Sequence, residues 1–414
     1  MHLLREHDDF RRLWLAQTIS QIGGQISFLA VPLTAAVTLD ATPAEMGLLT
    51  AMGSLPALVA GLFAGVIVDR RARRPILISA DLTRALLLGT IPIAWVTGTL
   101  TMPLLYAVAF LTGLCGLFFG LAYHSYLPAL VERKRLVEGN SALELGRSAA
   151  EIAGPAIAGW LVQLLKAPVA IAVDALSFVA SAGLIARIRA KEPPRAGGAS
   201  RASVWSDVAE GMRIVVRTPT IRALAAGSAL VGLFNAMLEA VFILYLTRTI
   251  GMSPGLLGLV FAAGSVGFVA GALLPGRIVG IVGVGPAMAI GIAILGLSDL
   301  ALPLAGHDLV VVAIAVAIGQ FFFGMGVTLA NVAETTLRQA IVPNALLGRV
   351  GGTLQVLSAA TIPLGALLGG VLGQVIGLRP TLFLAALLET AVALWVWRSP
   401  LWSLRDVDLA TNVD

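Results

Sequence analysis

The residues in this sequence whose type and position best suit proton or cation chemistry are carboxylic acids inside long apolar segments. Glu239 lies in such a segment, one helical turn after Asn235, and no arginine or lysine lies close to it along the chain. An ionisable group in an apolar span is costly and is a functional candidate by default. Glu239 is therefore a candidate for carrying a proton or for binding a cationic substrate.

A second acidic cluster contains charges of both signs. Glu144, Arg147 and Glu151 are spaced i, i+3 and i+7, so they share one helix face, and Arg147 can pair with either acid. All three are candidates for proton coupling. A structural ion pair between Arg147 and Glu151 is the alternative, and the sequence leaves both interpretations open.

One apolar segment carries a stripe of amides. Gln17, Gln21 and Gln25 recur every four residues. On a helix they form a hydrogen-bonding wall for a substrate or, alternatively, contacts that hold helices together.

Motifs for metal or nucleotide chemistry are missing from the sequence. There is one cysteine, the four histidines lie in different segments, and neither an HExxH pair nor a GxxxxGK[ST] loop occurs. We predict no metal site, no cofactor and no enzymatic activity. Any uphill transport must then use an ion gradient or a partner.

The composition predicts that lipid surrounds the elements that position these residues. Hydrophobic residues make up 58% of the chain, and charged residues make up 12%, against roughly 25% in soluble proteins. A bilayer-spanning helix needs about 20 apolar residues. Twelve such windows occur, at 13–38, 45–68, 76–97, 103–127, 142–165, 168–187, 221–247, 255–278, 286–305, 309–333, 350–376 and 380–397. We predict an all-α membrane protein with twelve transmembrane helices.

An internal repeat divides the chain into halves. A shift of 211 residues aligns Pro43 with Pro254 and Gly47 with Gly258, as expected for a transporter built by duplication. The predicted parts are a six-helix bundle at 1–187, a cytoplasmic linker at 188–220 and a second six-helix bundle with a short tail at 221–414. Within the linker, 193–198 is typical of a flexible tether, and Trp205, Val208, Met212 and Val215 indicate an amphipathic helix in the headgroup layer.

Basic residues predict the orientation. Of the 28 lysines and arginines, two lie within spans and three lie in the loops of one side, which leaves 23 for the other side. By the positive-inside rule both termini are cytoplasmic. The charge serves membrane anchoring, and no nucleic-acid binding is expected.

The loop between the second and third spans carries the most specific motif, which reads Gly65-Val-Ile-Val-Asp69-Arg70-Arg71-Ala-Arg73-Arg74-Pro. It resembles the signature loop of the major facilitator superfamily, except that Ala72 replaces a usual glycine. The resemblance implies the pseudo-symmetric twelve-helix fold of that superfamily. It also implies that Gly65, Asp69, Arg70, Arg73 and Arg74 form a charge latch at the cytoplasmic gate.

Other segments resemble the branch of this superfamily that contains macrolide-efflux proteins and the enterobactin exporter. They include the opening residues 9–14, the segment 127–131 and Gly348-Arg349-Val350. Gly154, Pro155 and Gly159 in the fifth span are similar to the kinked, tightly packed helix of antiporters in this superfamily. Ordinary small-residue packing is the equal alternative.

The resemblance also implies which spans line a central cavity, namely the first, fourth, fifth, seventh, tenth and eleventh. Candidate cavity residues on them are Gln17, Gln21, Gln25, Phe118, Asn235, Gln320, Asn331 and Gln355. Asp81, Asp174, Asp299 and Glu389 lie on other spans and are less favoured for coupling.

The leading hypothesis is a monomeric transporter of the bacterial inner membrane that exports lipophilic or amphiphilic small molecules, of the drug-efflux and antibiotic-resistance type. It would work by proton antiport with alternating access. One alternative is export of a siderophore or endogenous secondary metabolite. A second is a membrane sensor or scaffold that keeps the fold without transporting.

Overall fold

The computed structural model describes residues 2–190, 192, 204–343 and 346–404. Its helices are α1 (His2–Glu6), α2 (Asp8–Leu33), α3 (Pro43–Arg70), α4 (Arg73–Val96), α5 (Met102–Leu130), α6 (Leu136–Leu165), α7 (Ala167–Ala186), α8 (Val204–Arg217), α9 (Pro219–Leu244), α10 (Pro254–Ala272), α11 (Pro275–Val282), α12 (Val284–Asp299), α13 (Ala301–Leu304), α14 (Leu309–Ile341), α15 (Leu347–Val375) and α16 (Leu378–Arg398). Within the described residues, twelve spans are long and apolar enough to cross a membrane. The predicted all-α class and span count are confirmed.

The 211-residue repeat is visible in the helix boundaries. α6 and α15 begin 211 residues apart, and so do α7 and α16. π-helical turns extend α2 at Thr34–Thr38 and α9 at Tyr245–Thr249, again 211 residues apart. Because even these irregular turns repeat, the two halves share one chain path.

The eighth span is shorter than the window 255–278 predicts. α10 ends at Ala272, and α11 starts at Pro275 after a break at Leu273 and Leu274. Proline lacks the N–H that would continue the helical hydrogen bonds but is favoured at the start of a helix, so a new helix begins at Pro275.

The described chain forms two compact units. The first contains Met1–Ala41, Met52–Ala199 and Ser253–Ala262, and the second contains Thr42–Ala51, Ser200–Met252 and Ala263–Asp414. The beginning of α3 therefore packs with the second unit and the beginning of α10 with the first. The helices α3 and α10 each run from one unit into the other.

Equivalent helices pack together in the two units. In the first, α7 packs on α2 and α4, α2 packs on α6, and α4 packs on α5. In the second, α16 packs on α9 and α12, α9 packs on α15, and α12 packs on α14. Apolar residues fill the resulting cores, with Leu13, Leu77 and Tyr126 in the first unit and Leu224, Ile292 and Leu329 in the second.

The linker contains the amphipathic helix that the sequence predicts. α8 packs on α15, where Val215 is buried, and Glu210 forms an ion pair with Arg349 at 3.0 Å. At least part of its apolar face therefore contacts protein as well as any headgroup layer. The predicted flexible stretch 193–198 and the tail after 404 lie outside the described residues.

Candidate transport site

Glu239 lies on an exposed side of α9. Asn235 and Gly232 precede it at i−4 and i−7, so the three residues share one side of the helix. An ideal Cβ on Gly232 would lie 3.5 Å from Thr361 Oγ1 of α15. Among the residues that the structure describes, no basic side chain is within ion-pair distance of Glu239. The second unit thus presents an accessible carboxyl without a counter-charge on an apolar helix.

The acidic cluster on α6 contains its own counter-charge. Arg147 Nε donates to Glu144 Oε2 at 3.0 Å, and the two terminal nitrogens bond to Glu144 and Glu151. The three side chains are about half exposed. Both ion pairs considered from the sequence are therefore formed, and the single positive charge of Arg147 is shared between the two acids.

The glutamine stripe on α2 has two roles in the structure. Gln25 lies against Gly154 of α6, where an ideal Cβ would be 2.4 Å from Gln25 Cγ, so Gln25 is a packing residue. Gln17 Oε1 and Gln21 Oε1 are buried without a hydrogen-bond partner. These two acceptors are unpaired but closed to solvent in this conformation, so the hydrogen-bonding wall remains a prediction.

The other predicted cavity residues are spread over three helices. Phe118 on α5 is half-buried, and so is Gln320 on α14, which covers Gly264 of α10. Asn331 on α14 and Gln355 on α15 are exposed. Gln320 therefore has a packing contact, whereas Asn331 and Gln355 are accessible.

In the second unit, the start of α3 touches α15 through backbone atoms. An ideal Cβ on Gly47 would lie 2.5 Å from the carbonyl oxygen of Ala366 and 2.8 Å from Gly370 Cα. Only glycine permits such an approach.

In the first unit, the start of α10 touches α6 in the same way. An ideal Cβ on Gly258 would lie 2.6 Å from the carbonyl oxygen of Pro155 and 2.8 Å from Gly159 Cα. Gly258 and Gly159 are the 211-residue equivalents of Gly47 and Gly370. The predicted packing residues of the fifth span thus form one of two equivalent glycine contacts.

The motif loop between α3 and α4 is held within the first unit. The backbone N–H groups of Arg73 and Arg74 both donate to the Glu192 carboxylate at 2.9 Å, and the Arg74 guanidinium donates to the carbonyl oxygens of Ile185 and Ala186. A carboxylate at the first turn of α4 is favoured by the helix dipole. Glu192 had no signal in the sequence, because it lies 118 residues from Arg74.

The remaining described residues of this motif show no contact that would form a gate. Arg70 is exposed at the end of α3, and Gly65 has open space around it. The side chain of Asp69 lies outside the described part of the chain. The charge latch remains a prediction.

A cluster around Asp81 and Asp174, the two buried acids of the first unit, was not anticipated from the sequence. Ser181 donates to Asp81 at 2.6 Å, while Ser27 and Ser177 donate to Asp174. The serines come from α2 and α7, so residue spacing on a single helix could not reveal all of them.

Arg84 supplies the positive charge of this cluster. Its guanidinium lies 3.9 Å from Asp81 and between the rings of Phe119 and Phe178, whose centroids are 5.4 and 5.1 Å away. Cation–π contacts of this kind stabilise a buried arginine. The first unit therefore compensates its two buried carboxyl groups with one cation and three hydroxyl donors.

Comparison with known proteins identifies the family. The sequence matches the transmembrane secretion effector family (MFS_3) over residues 4–413. The chain belongs to this family of the major facilitator superfamily. It is a multi-pass membrane protein of a transporter family and not an enzyme.

Two relatives illustrate the known members. The multidrug efflux pump Tap of Mycolicibacterium fortuitum is 30% identical over 374 residues, covering 87% of this chain and 88% of Tap. The enterobactin exporter EntS of Escherichia coli is 27% identical over 387 residues, covering 90% and 87%. The predicted resemblance to the efflux and enterobactin-exporter branch is confirmed.

Solved structures support the fold. An inward-facing bacterial homologue of the iron transporter ferroportin superposes with a TM-score of 0.74 at 16% identity, covering 95% of this chain and 99% of the other. The nucleoside transporter NupG superposes with a TM-score of 0.70 at 13% identity, covering 94% and 98%. At these identities the likeness shows the major facilitator fold alone.

Proposed function

We propose that this protein exports lipophilic or amphiphilic small molecules by proton antiport, with Glu239 as the proton carrier. The observation that carries the proposal is the accessible carboxyl of Glu239 on a membrane-spanning helix, without a basic partner among the described residues. Similarity to Tap, a multidrug efflux pump, supports the drug-efflux class.

Glu239 suits proton carriage better than Glu151 does. Glu151 already bonds to Arg147, and protonating it would break a compensated pair. Protonating Glu239 removes an uncompensated charge from an apolar helix, which lowers the cost of moving that helix face out of water. The form with Glu239 protonated would therefore tolerate this helix face away from water, whereas the form with Glu239 ionised would favour exposure of the face to water.

The two glycine contacts provide the moving part of the cycle. With both termini in the cytoplasm, the starts of α3 and α10 lie at the outer side of the inner membrane. We propose that the contacts Gly47–Gly370 and Gly159–Gly258 close the outer path and separate when substrate leaves. Backbone contacts between glycines involve no long side chains, so they can open and reform at little cost in side-chain entropy.

Export of a siderophore is the second candidate, because the relative EntS is an enterobactin exporter. The unused acceptors of Gln17 and Gln21 could bind either a hydroxyl-rich siderophore or an amphiphilic drug. A substrate panel must separate the two.

The test uses everted membrane vesicles that contain the full chain. The probes are ethidium, a macrolide antibiotic and a catecholate siderophore, each with and without an uncoupler. We expect accumulation of ethidium or the macrolide that stops when the pH gradient collapses. Uptake of the siderophore alone would favour the second candidate, and accumulation unaffected by the uncoupler would contradict proton antiport.

Glu239→Gln assigns the carrier. The variant should lose accumulation against a gradient but keep downhill exchange, because the amide retains hydrogen bonding but cannot exchange a proton. Glu132→Gln, at an exposed loop residue, is the matched control and should keep full accumulation. Uphill transport by Glu239→Gln at the control rate would remove Glu239 from the mechanism.

A further inference from the structure

A second pair of buried acids lies in the second unit, between α12 and α16. Asp299 is 5% exposed and Glu389 is 0% exposed, and their carboxyl groups lie beside each other without a hydrogen bond between them. Asp299 Oδ2 and both carboxylate oxygens of Glu389 have no hydrogen-bond donor. Two fully charged carboxylates in contact, without donors, would be strongly destabilised in this interior.

In the first unit, the charge of two buried acids is compensated at the equivalent helix interface. There α4 and α7, the 211-residue equivalents of α12 and α16, hold Asp81 and Asp174 with Arg84 and three serines. The equivalents of these four compensating residues are Leu295, Leu238, Leu388 and Val392. The acids themselves are not at equivalent positions, because Ile292 and Ala385 stand where the first unit has Asp81 and Asp174. The second unit therefore has a buried acid pair at the corresponding helix interface, and the equivalents of all four compensating residues are apolar.

The other charged residues that the structure describes near these helices do not pair with Asp299 or Glu389. Those on α16 and on the elements packed against the pair are Arg222, Glu239, Arg277, His307, Glu334, Arg338, Arg349, Arg379 and Arg398. Arg379 donates to the Pro303 carbonyl oxygen, and Arg349 pairs with Glu210. Among the described residues, none of these cations forms an ion pair with Asp299 or Glu389.

The helix packing around the pair favours a proton over a metal ion as the missing positive charge. An ideal Cβ on Gly296 would lie 2.5 Å from both the backbone nitrogen and Oγ1 of Thr390, so α12 and α16 are in close contact beside the pair. Gly319 of α14 also lies close to α12, with an ideal Cβ 2.9 Å from the Ser298 carbonyl oxygen. A sodium ion needs several more oxygen ligands than two carboxyl groups supply, whereas a proton needs only two facing oxygens.

We propose that Asp299 and Glu389 form a proton-binding site in which the two carboxyl groups share one proton. The proton joins one carboxyl oxygen covalently and is donated to the facing carboxylate. The pair then carries one negative charge instead of two, and one of the orphan oxygens gains a partner. Two acids in contact behave in this way because both cannot ionise together. The site is separate from Glu239, and its test does not depend on transport.

Infrared spectroscopy of the purified full chain in lipid nanodiscs tests the proposal directly. A protonated carboxyl group has a C=O stretch distinct from that of a carboxylate. We expect the wild type at neutral pH to show such a band, and the double variant Asp299→Asn/Glu389→Gln to lose one carboxyl equivalent of it. Asp308→Asn, at an exposed helix-capping acid, is the control and should leave the band unchanged.

Thermal unfolding provides the second readout. Because the folded pair binds a proton that the unfolded chain has released above the ordinary carboxyl pKa of about 4, wild-type stability should fall as pH rises above that value. The fall is up to about tenfold in the folded-to-unfolded ratio per pH unit, and it ends where the folded pair loses its proton. The double variant should lack this component. If the double variant does not fold, the single variant Glu389→Gln is compared with the wild type in the same way and should lose the same band.

Three results would overturn the proposal. One is a carboxylic-acid band that is absent from the wild type or is unchanged in the double variant. Another is an identical pH dependence of unfolding in the wild type and the double variant. The third is a wild type stabilised at fixed pH when choline chloride is replaced by sodium chloride, which would indicate a metal ion in place of the proton.

Discussion

Replacing Gly159 by alanine would put a methyl group where α6 and α10 touch. An ideal Cβ would lie 2.5 Å from the carbonyl oxygen of Pro254 and 2.7 Å from Gly258 Cα. Non-bonded carbons prefer a separation of about 3.5–4.0 Å, so the helices must move apart by roughly 1 Å. Both close atoms belong to the backbone, and no side chain can rotate to make room.

The energy of this change can be estimated. Overpacking of this kind costs roughly 1–3 kcal/mol. Alanine regains about 0.5–1 kcal/mol of helix stability relative to glycine. Because the residue is helical in both arrangements, this gain does not change their ratio. The packed arrangement should therefore be disfavoured by roughly 1–3 kcal/mol, which is a change of about 5- to 150-fold in its population relative to arrangements with the contact open.

Spin-label distances would measure this shift. Leu164→Cys on α6 and Leu259→Cys on α10 are suitable sites because both side chains are about 60% exposed, and Cys115→Ser removes the one native cysteine. We expect Gly159→Ala to enlarge the long-distance population and to reduce the rate of substrate accumulation. Gly370→Ala, the repeat-equivalent substitution, should reduce the transport rate similarly.

Gly183→Ala separates the contact from the general effect of alanine. Gly183 lies in α7 with open space around its missing Cβ, so alanine there should gain helix stability without a clash. If Gly159→Ala and Gly183→Ala gave the same distance distribution and the same transport rate, the glycine contact would have no part in the cycle.

Two further predictions concern the cytoplasmic side. Glu192→Ala removes the acceptor for two N–H groups of α4 and should lower the free energy of unfolding by about 1–2 kcal/mol. Glu210→Ala breaks one surface ion pair and should lower it by about 0–1 kcal/mol. Equal losses for the two variants in denaturant titrations would contradict the capping role of Glu192. A tag placed at either terminus should be accessible to an impermeant reagent in everted vesicles but protected in intact cells, and the opposite pattern would reverse the orientation that the basic loops predict.

The general architecture followed from one-dimensional patterns. Apolar windows of about 20 residues located twelve spans because each membrane helix must satisfy its own backbone hydrogen bonds. The shift of 211 residues anticipated equivalent helix starts, since a duplicated chain repeats its turns together with its prolines and glycines. Where the pattern misled, at the eighth span, the cause was local: Pro275 breaks a helix that hydropathy alone extends.

The candidate site was less accessible to sequence reasoning. Glu239 and the ion pairs of Arg147 could be anticipated, because an acid in an apolar span and charges spaced along one helix are local signals. Gln25 looked the same as Gln17 and Gln21, yet only Gln25 covers a glycine of α6. The difference depends on which neighbouring helix each side chain meets.

The amino-acid sequence by itself determined the lipid environment, the number of spans, the duplicated halves and the family resemblance, because all four depend on composition and spacing along the chain. Only the tertiary structure decided which buried acids are compensated. Asp81 and Asp174 receive donors from other helices, while Asp299 and Glu389 meet each other without any. Charge compensation acts over a few ångströms in space, and residues a hundred positions apart come within that range only when the helices pack.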